Sequence, residues 1–219
     1  MHLLSLSGSA PLRRVLAIGC HADDLEIGCG GTLLTLTRAI PDLEVDWVVL
    51  AARGERAEEA RSSAAAFLAA AGTARVEVYG FRDGFLPYVG GEVKELFEDL
   101  KGRVEPQLVF THARYDLHQD HRLACELTWN TFRGHLILEY EVPKVDGDFG
   151  TPNAFVPLPA AIAEEKVALL ERHFPSQSGR HWFDRETFLG LMRLRGIEAV
   201  APERYAEAFT CRKVVLVAG

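Results

Sequence analysis

The sequence predicts a single α/β domain with a mainly parallel sheet flanked by helices. Short apolar runs alternate with longer helix-like segments over the first half of the chain, which is the pattern of successive βαβ units. The chain has 219 residues, of which 48% are hydrophobic, and this is enough to fill one core. We therefore expect a Rossmann-like domain over residues 13–219, preceded by a lead-in over residues 1–12.

The first half of the chain carries the clearest alternation. A buried apolar run at 15–19 predicts the first strand, and the glycine-led stretch at 28–39 predicts the first helix. A stretch rich in Ala, Glu and Arg at 55–71 favours helix because these residues have high helix propensity. Predicted strands lie at 15–19, 45–51, 76–79 and 108–111, predicted helices at 28–39, 55–71 and 92–101, and a loop containing Gly and Pro at 80–91.

The second half departs from strict alternation. A helix-like stretch is followed by two strand candidates with a turn-rich loop between them, and then by two more helix-like stretches. No repeat or convincing interdomain linker interrupts this order, which again favours one domain. Predicted strands lie at 136–142, 154–158 and 213–217, predicted helices at 119–132, 160–172 and 185–195, and polar or turn-rich loops at 146–152 and 176–180.

Composition excludes some classes of function. The formal net charge of -7 argues against a nucleic-acid-binding surface. No apolar run reaches the roughly 18 residues that predict a membrane span, and the start of the chain lacks the charged region of a signal peptide. The four cysteines show no C-x-x-C spacing, so we expect reduced thiols in a cytoplasmic protein.

A histidine and two carboxylates follow the first predicted strand. His21, Asp23 and Asp24 would lie at the carboxyl edge of the sheet, where open α/β folds place their ligand sites. A His-x-x-Asp pair offers one nitrogen and one oxygen to a metal ion, and the adjacent carboxylate can handle a proton. The glycine-rich segment after it does not have the dinucleotide-binding spacing, because Leu33 stands at the last glycine position.

A second cluster, His118, Asp120 and His121, stands between a predicted strand and a predicted helix. It therefore occupies the same place in a βα unit as the first cluster, and we expect the two clusters to meet at one sheet edge. Two histidines three residues apart share a face once the helix has begun. We interpret the nearby His112 as structural.

Together the two clusters predict metal-dependent chemistry. A catalytic zinc takes about three protein ligands and leaves a position open for water, and His21, Asp24 and one histidine of the second cluster would supply them. Such a metal lowers the pKa of bound water to about 7, and Asp23 would act as the general base. The other histidine would stabilise the oxyanion or protonate the leaving nitrogen. Asp120 would orient a histidine by accepting its other N–H.

These motifs resemble those of the LmbE-like or PIG-L zinc-dependent N-deacetylases. The family's His-Pro-Asp-Asp motif and glycine-rich turn stand here as His21-Ala22-Asp23-Asp24 and Ile27-Gly28-Cys29-Gly30-Gly31-Thr32, and its His-x-Asp-His motif as His118-Gln119-Asp120-His121. Supporting matches are Arg56-Ala57-Glu58-Glu59, Phe81-Arg82-Asp83-Gly84, His173-Phe174-Pro175-Ser176-Gln177 and Tyr205-Ala206-Glu207-Ala208-Phe209.

The resemblance implies an enzyme that removes the acetyl group from an N-acetylated amino sugar of the N-acetylglucosamine type, or from its glycoconjugate. The implied cofactor is Zn²⁺, with Fe²⁺ as the alternative. Ala22 replaces a family proline that would fix φ at about −65°, so the loop loses a constraint but no reacting group. The implied zinc ligands are His21, Asp24 and His121, the implied base is Asp23, the implied charged oxyanion partner is His118 with Asp120 behind it, and the implied substrate contact is Arg56.

Two other functions remain open from the sequence: an amidase acting on another small amide or thiol conjugate, and a non-catalytic sugar-binding relative. The segment 138–153 is polar and aromatic enough to line a pocket, since loops on a rigid scaffold often set specificity. The alternatives are that this segment covers the surface of the domain without contacting a ligand, or that it contacts another subunit. The sequence does not name the sugar, and it is compatible with a monomer or a homo-oligomer.

Overall fold

The computed structural model describes residues 11–215, so residues 1–10 of the expected lead-in lie outside the described part. One seven-stranded sheet runs through the domain, with helices on both faces. The strands are β1 (Arg14–Gly19), β2 (Glu44–Val49), β3 (Thr73–Val78), β4 (Leu108–His112), β5 (Leu136–Tyr140), β6 (Ala154–Leu158) and β7 (Tyr205–Thr210). The helices are α1 (Asp24–Ala39), α2 (Glu55–Phe67), α3 (Gly90–Arg103), α4 (Gln119–Thr131), α5 (Ala160–His173) and α6 (Arg185–Glu198).

The strand order is β3-β2-β1-β4-β5-β7-β6. Strands β1 to β5 pair in parallel, whereas β7 runs antiparallel to both β5 and β6. The predicted mainly parallel α/β fold is confirmed. The order of the strands reverses at the β1–β4 pair, and open α/β sheets bind ligands in the crevice at such a switch point.

Both faces of the sheet are covered, and β1 shows why its sequence is wholly apolar. Successive side chains of a strand point to opposite faces. Val15 and Ala17 pack in the core under α1, α2, α5 and α6, whereas Leu16 and Ile18 pack in the core under α3 and α4. A strand that is buried on both faces reads as a continuous hydrophobic run.

Helix α1 begins at Asp24, four residues earlier than its glycine-led pattern predicts. Its glycines allow close packing on the sheet at Gly28 and on helix α2 at Gly30. A Cβ atom at Gly28 would lie 2.1 Å from Cδ2 of Tyr140, and one at Gly30 would lie 2.6 Å from Cε1 of Phe67. Burial of the helix outweighs the low helix propensity of glycine, and the early start places Asp24 in the first turn.

The last strand is β7, not the predicted strand at 213–217. Residues 213–215 have no regular structure, and 216–217 lie outside the described residues. The run Tyr205–Thr210 was missed because it carries Glu207 at its centre, yet Glu207 is only 3% exposed. A charged residue in a strand buried on both faces contradicts the usual apolar pattern.

Glu207 is buried because it has partners for its charge. Its carboxylate accepts the backbone N–H groups of Gly31, at 2.7 Å, and Thr32, at 2.6 Å, and it pairs with Nζ of Lys166 at 2.7 Å. Lys166 also donates to the carbonyl of Ile27 at 2.6 Å. This buried ion pair ties β7 and α5 to the middle of α1.

The predicted loop at 80–91 contains a short 3-10 turn, Leu86–Val89, and the start of α3. The other predicted elements have their observed counterparts within a few residues. Within residues 11–215, no helix combines the length and the apolar character that crossing a membrane requires.

We predict that Gly28→Ala destabilises the fold by about 1–3 kcal/mol, because the new methyl group overpacks the α1–β5 contact. Gly190→Ala is the matched control. Gly190 lies in α6 with nothing within 4 Å of the position that a Cβ atom would take, so alanine should be neutral or stabilising by up to about 1 kcal/mol. Urea unfolding of both variants checks this. Equal stability of Gly28→Ala and the wild type would show that α1 is not pressed against the sheet.

Candidate active site

The two motif clusters line one cavity of about 540 Å³ at the carboxyl ends of β1 and β4. His21 and Asp24 follow β1, and His118 and His121 lie at the start of α4, which follows β4. The parallel pairing of β1 and β4 brings together residues that are almost 100 positions apart in the chain.

Three donor atoms form a near-equilateral triangle. Nδ1 of His21 lies 3.1 Å from Nε2 of His121 and 3.3 Å from Oδ2 of Asp24, and the last two atoms are 3.4 Å apart. Bonds of about 2.0–2.1 Å to a tetrahedral zinc ion separate two donors by about 3.3–3.4 Å. The triangle therefore has the dimensions of three ligands of a four-coordinate zinc ion.

The other nitrogen of each imidazole faces a carboxylate. Nε2 of His21 lies 3.3 Å from Oδ2 of Asp120, and Nδ1 of His121 lies 2.8 Å from Oδ2 of Asp116. Such carboxylates hold the ring proton on the nitrogen that faces them and leave the lone pair of the other nitrogen for a metal. Both the free lone pairs of the triangle and the distances between its donor atoms therefore suit a metal ion.

The electrostatics of this cluster favour a bound cation. Burial alone would raise the pKa of Asp24, but His121 and His112 lower it well below its usual value. Burial alone would lower the pKa of His21, but Asp24 and Asp120 raise it well above its usual value. Asp24 and Asp120 therefore create a negative electrostatic potential at the triangle, and this potential stabilises a bound cation.

Asp23 lies beside the triangle with one oxygen engaged. Its Oδ1 is 3.0 Å from NH2 of Arg56, and Arg56 is itself paired with Glu59 at 2.8 Å. Oδ2 of Asp23 is buried and has no hydrogen-bond partner among the described residues. Burial, aided by Asp24, raises the pKa of Asp23 although Arg56 opposes this. Such a carboxylate is suited to accept a proton.

His118 caps the N-terminus of α4. Its Nδ1 accepts the backbone N–H of Asp120 at 3.3 Å, so the proton of a neutral ring stands on Nε2. Burial, together with His121 and His21, lowers the pKa of His118. This lowered pKa favours a neutral ring, whereas the resemblance implied a charged oxyanion partner, and the role of His118 stays a prediction.

The carboxylate of Asp120 makes no hydrogen bond to the ring of His118 among the described residues, whereas the resemblance implied that it stands behind that ring. It accepts the backbone N–H groups of Gly84, at 2.7 Å, and Leu86, at 3.1 Å, and it contacts His21. Only the backbone N–H of Asp120 reaches His118. The expectation that Asp120 orients a histidine agrees with this geometry, but the histidine is His21.

Sequence reasoning missed Asp116, which orients His121. Its carboxylate also accepts the backbone N–H of His118 at 2.8 Å and pairs with Nζ of Lys144 at 2.9 Å. Lys144 in turn contacts Asp148 at 2.7 Å. The sequence offered one signal, a carboxylate two residues before His118. Its contact with the ring of His121 could not be predicted from this spacing, because the contact depends on the shape of the turn between β4 and α4.

His112 is a buried neighbour of the triangle. Its Nε2 lies 3.2 Å from Oδ2 of Asp24 and accepts the backbone N–H of Cys20 at 3.0 Å. Its ring stacks on that of His121 with 3.7 Å between centroids. Burial and His121 lower its pKa to about 4. It is a neutral packing partner, in line with its interpretation as structural.

The walls of the cavity come from other loops. Residues 142–146 follow β5 and line it, which favours the pocket alternative for this part of the segment 138–153. Arg56, the implied substrate contact, lines the cavity beside Asp23.

Comparison with known families and structures gives a consistent result. The family model described as "PIG-L: GlcNAc-PI de-N-acetylase" matches residues 16–132, just over half of the chain, and this match contains both clusters. No curated protein sequence matches the chain.

Several solved structures share the fold. The conserved protein TT1542 from Thermus thermophilus has a TM-score of 0.74 and 23% identity, covering 93% of this chain and 96% of that one. N,N'-diacetylchitobiose deacetylase from Pyrococcus horikoshii has a TM-score of 0.66 and 22% identity, with coverages of 90% and 83%. GalB, the 4-carboxy-2-hydroxymuconate hydratase from Pseudomonas putida KT2440, has a TM-score of 0.71 and 17% identity, with coverages of 95% and 99%. At these identities the likeness establishes the fold alone.

We predict that Asp116→Asn weakens zinc binding about 10- to 100-fold, because the variant loses the charge that orients His121. Competition with a chromogenic chelator measures this affinity. Asp99→Asn removes the same charge from the exposed surface of α3 and serves as the control. Wild-type zinc affinity in folded Asp116→Asn would contradict a supporting role for this carboxylate.

Proposed function

This chain belongs to the PIG-L family, and from that membership we propose that it is a metal-dependent N-deacetylase. Its proposed substrate is an N-acetylated amino sugar of the N-acetylglucosamine type, either free or within a glycoconjugate. The fold does not choose the reaction, since one fold hosts many functions and the similar structures include both a deacetylase and a hydratase. The proposal therefore depends on the site.

The observation that carries the proposal is the free, buried Oδ2 of Asp23 beside a donor triangle of zinc dimensions. A site that only bound a sugar or a metal ion would gain nothing from this carboxylate, whose burial without a hydrogen bond is costly. A hydrolase gains a general base next to its activated water.

In the proposed reaction, water adds to the carbonyl carbon of the acetamide, the C–N bond breaks, and acetate and the free amine leave. His21, Asp24 and His121 would hold the metal ion. When bound, the ion supplies the positive charge that acidifies water and polarises a carbonyl group. The remaining steps of proton handling and orientation are assigned to side chains of the chain itself.

Asp23 takes the proton of the attacking water on Oδ2 while Arg56 holds its other oxygen. The protonated Asp23 then returns this proton to the nitrogen of the leaving amine. The Nε2–H group of neutral His118 donates to the carbonyl oxygen as negative charge develops on it. Asp120 and Asp116 keep the two ligand imidazoles in orientation.

We predict that Asp23→Asn lowers kcat about 10²- to 10⁴-fold, because the isosteric amide cannot accept the proton. The assay is acetate release from N-acetylglucosamine, its nucleotide and lipid conjugates, and simple acetamides. Metal content measured on the same samples should stay unchanged. Glu58→Gln, on the exposed face of α2, is the control. Near-normal turnover of Asp23→Asn would remove Asp23 as the base.

We predict that chelation abolishes turnover and that one equivalent of Zn²⁺ or Fe²⁺ restores it, while Mg²⁺ does not, because two imidazole ligands disfavour Mg²⁺. His121→Ala should resist this restoration, since it lacks one donor of the triangle. Comparing the rates restored by Zn²⁺ and Fe²⁺ identifies the more effective metal. Full turnover by protein shown to be metal-free would refute metal dependence.

A further inference from the structure

We propose that the indole ring of Trp182 is the platform on which the pyranose ring of the substrate stacks. The acetamide carried by that ring then reaches Asp23 and the donor triangle. This inference rests on the proposed deacetylase function. It adds a reason for the site to prefer the acetamide of a sugar to the acyclic amide that an amidase would take.

Trp182 and Phe81 are, histidines aside, the aromatic residues among 11–215 that line the active-site cavity. Much of the remaining lining is charged or polar, which suits the hydroxyl groups at the edge of a sugar ring. The faces of a pyranose ring present C–H groups instead. These groups carry partial positive charge and are attracted to the negative face of an aromatic ring. A cavity that binds a sugar ring therefore gains from an aromatic face beside its polar groups.

Trp182 suits this role better than Phe81 for two reasons. The indole ring has a larger and more strongly negative face than a phenyl ring. The indole also carries an N–H donor, and within residues 11–215 this donor of Trp182 has no hydrogen-bond partner. It is therefore available to a hydroxyl group of a stacked sugar, whereas Phe81 offers no polar group.

A cluster of buried phenylalanines holds the indole of Trp182 in place. Its ring meets that of Phe183 edge to face, with 5.6 Å between centroids and an interplanar angle of 77°. Phe183 in turn contacts Phe174 at 6.3 Å and Phe188 at 5.1 Å between centroids, and all three phenylalanines are buried. A tryptophan side chain has only two rotatable torsions, so these contacts orient the ring before a ligand binds.

The same cluster reaches the proposed catalytic base. The guanidinium carbon of Arg56 lies 5.3 Å from the ring centroid of Phe174, and Arg56 holds Oδ1 of Asp23 at 3.0 Å. The segment between α5 and α6 is also fastened to α2, because Glu59 accepts the backbone N–H of Ser176 at 2.9 Å and its hydroxyl at 2.7 Å. A ring stacked on the platform would therefore have a fixed position relative to the base.

The cavity has room for a stacked ring and a reacting acetamide together. Its volume of about 540 Å³ lies in the range of about 300–1,000 Å³ that accommodates drug-sized ligands, and Trp182 lines it together with Asp23 and His121. Stacking acts on the sugar ring and not on the reacting amide, so it stabilises the bound substrate and the transition state alike. Loss of the platform should therefore raise KM and leave kcat nearly unchanged.

A matched pair of substrates tests the platform. N-acetylglucosamine has a pyranose ring, whereas its reduced form, N-acetylglucosaminitol, carries the same acetamide on an open chain. We expect Trp182→Leu to lower kcat/KM for N-acetylglucosamine about 10-fold, through KM and with kcat within about twofold of the wild type. The same variant should change kcat/KM for N-acetylglucosaminitol by less than about twofold, because the open chain has no ring face to stack.

Three further variants locate the effect. Trp182→Phe keeps an aromatic face, so its KM for N-acetylglucosamine should lie between those of the wild type and Trp182→Leu, and it replaces Trp182→Leu if thermal melting shows that the latter fails to fold. Trp129→Phe changes an indole of α4 that does not line the cavity and should leave both substrates unaffected. A greater loss of ring selectivity in Phe81→Leu than in Trp182→Leu would overturn the assignment to Trp182.

An unchanged KM in folded Trp182→Leu, or an equal loss of kcat/KM for both substrates, would overturn the platform and leave the deacetylase function standing. Acetate release by the wild type from none of the compounds assayed for Asp23→Asn would overturn the proposed function instead. If neither member of the matched pair is hydrolysed, calorimetric titration of both into zinc-loaded protein decides about the platform. Tighter binding of N-acetylglucosamine that is lost in Trp182→Leu would support it, and equal or undetectable binding of the two compounds would overturn it.

Discussion

The structure around the cavity depends on the compensation of one buried negative charge. Asp24 is 3% exposed, and a buried carboxylate is tolerated only when it is paired and hydrogen-bonded. It accepts the backbone N–H of His21 at 2.7 Å and lies in the first turn of α1, where the helix dipole favours negative charge. The imidazoles of His112 and His121 face it from β4 and α4. The contacts of Asp24 with these imidazoles hold the ends of β1 and β4 together. A metal ion bound at this place would complete the compensation of the negative charge.

Two further carboxylates connect this centre to the walls of the cavity. Asp120 reaches His21 and also two backbone amides of the loop after β3, while Asp116 reaches His121 and also Lys144 in the segment after β5. The same groups that orient the imidazoles therefore position the loops on both sides. A substitution in either loop can displace the imidazoles of His21 and His121, the proposed metal ligands, without contacting a substrate, because it acts on the carboxylates that orient them.

The scaffold shows the same use of buried charge outside the lining of the cavity. The ion pair of Glu207 and Lys166 contacts the amide of Gly31 and the carbonyl of Ile27 in α1, so it binds β7 and α5 to the helix that carries Asp24. Close packing at Gly28 holds the same helix against β5.

Local sequence patterns were enough to predict the alternation of strands and helices and the meeting of the two polar clusters. Apolar runs that end at His21 and near His118 are local patterns, and parallel strands place their carboxyl ends at one edge. Tertiary structure alone places Asp120 against His21 and Asp116 against His121, lowers the pKa of His118 through burial and its neighbouring imidazoles, and buries Glu207 in β7. These outcomes depend on distances and burial between residues far apart in the chain, which no local periodicity encodes.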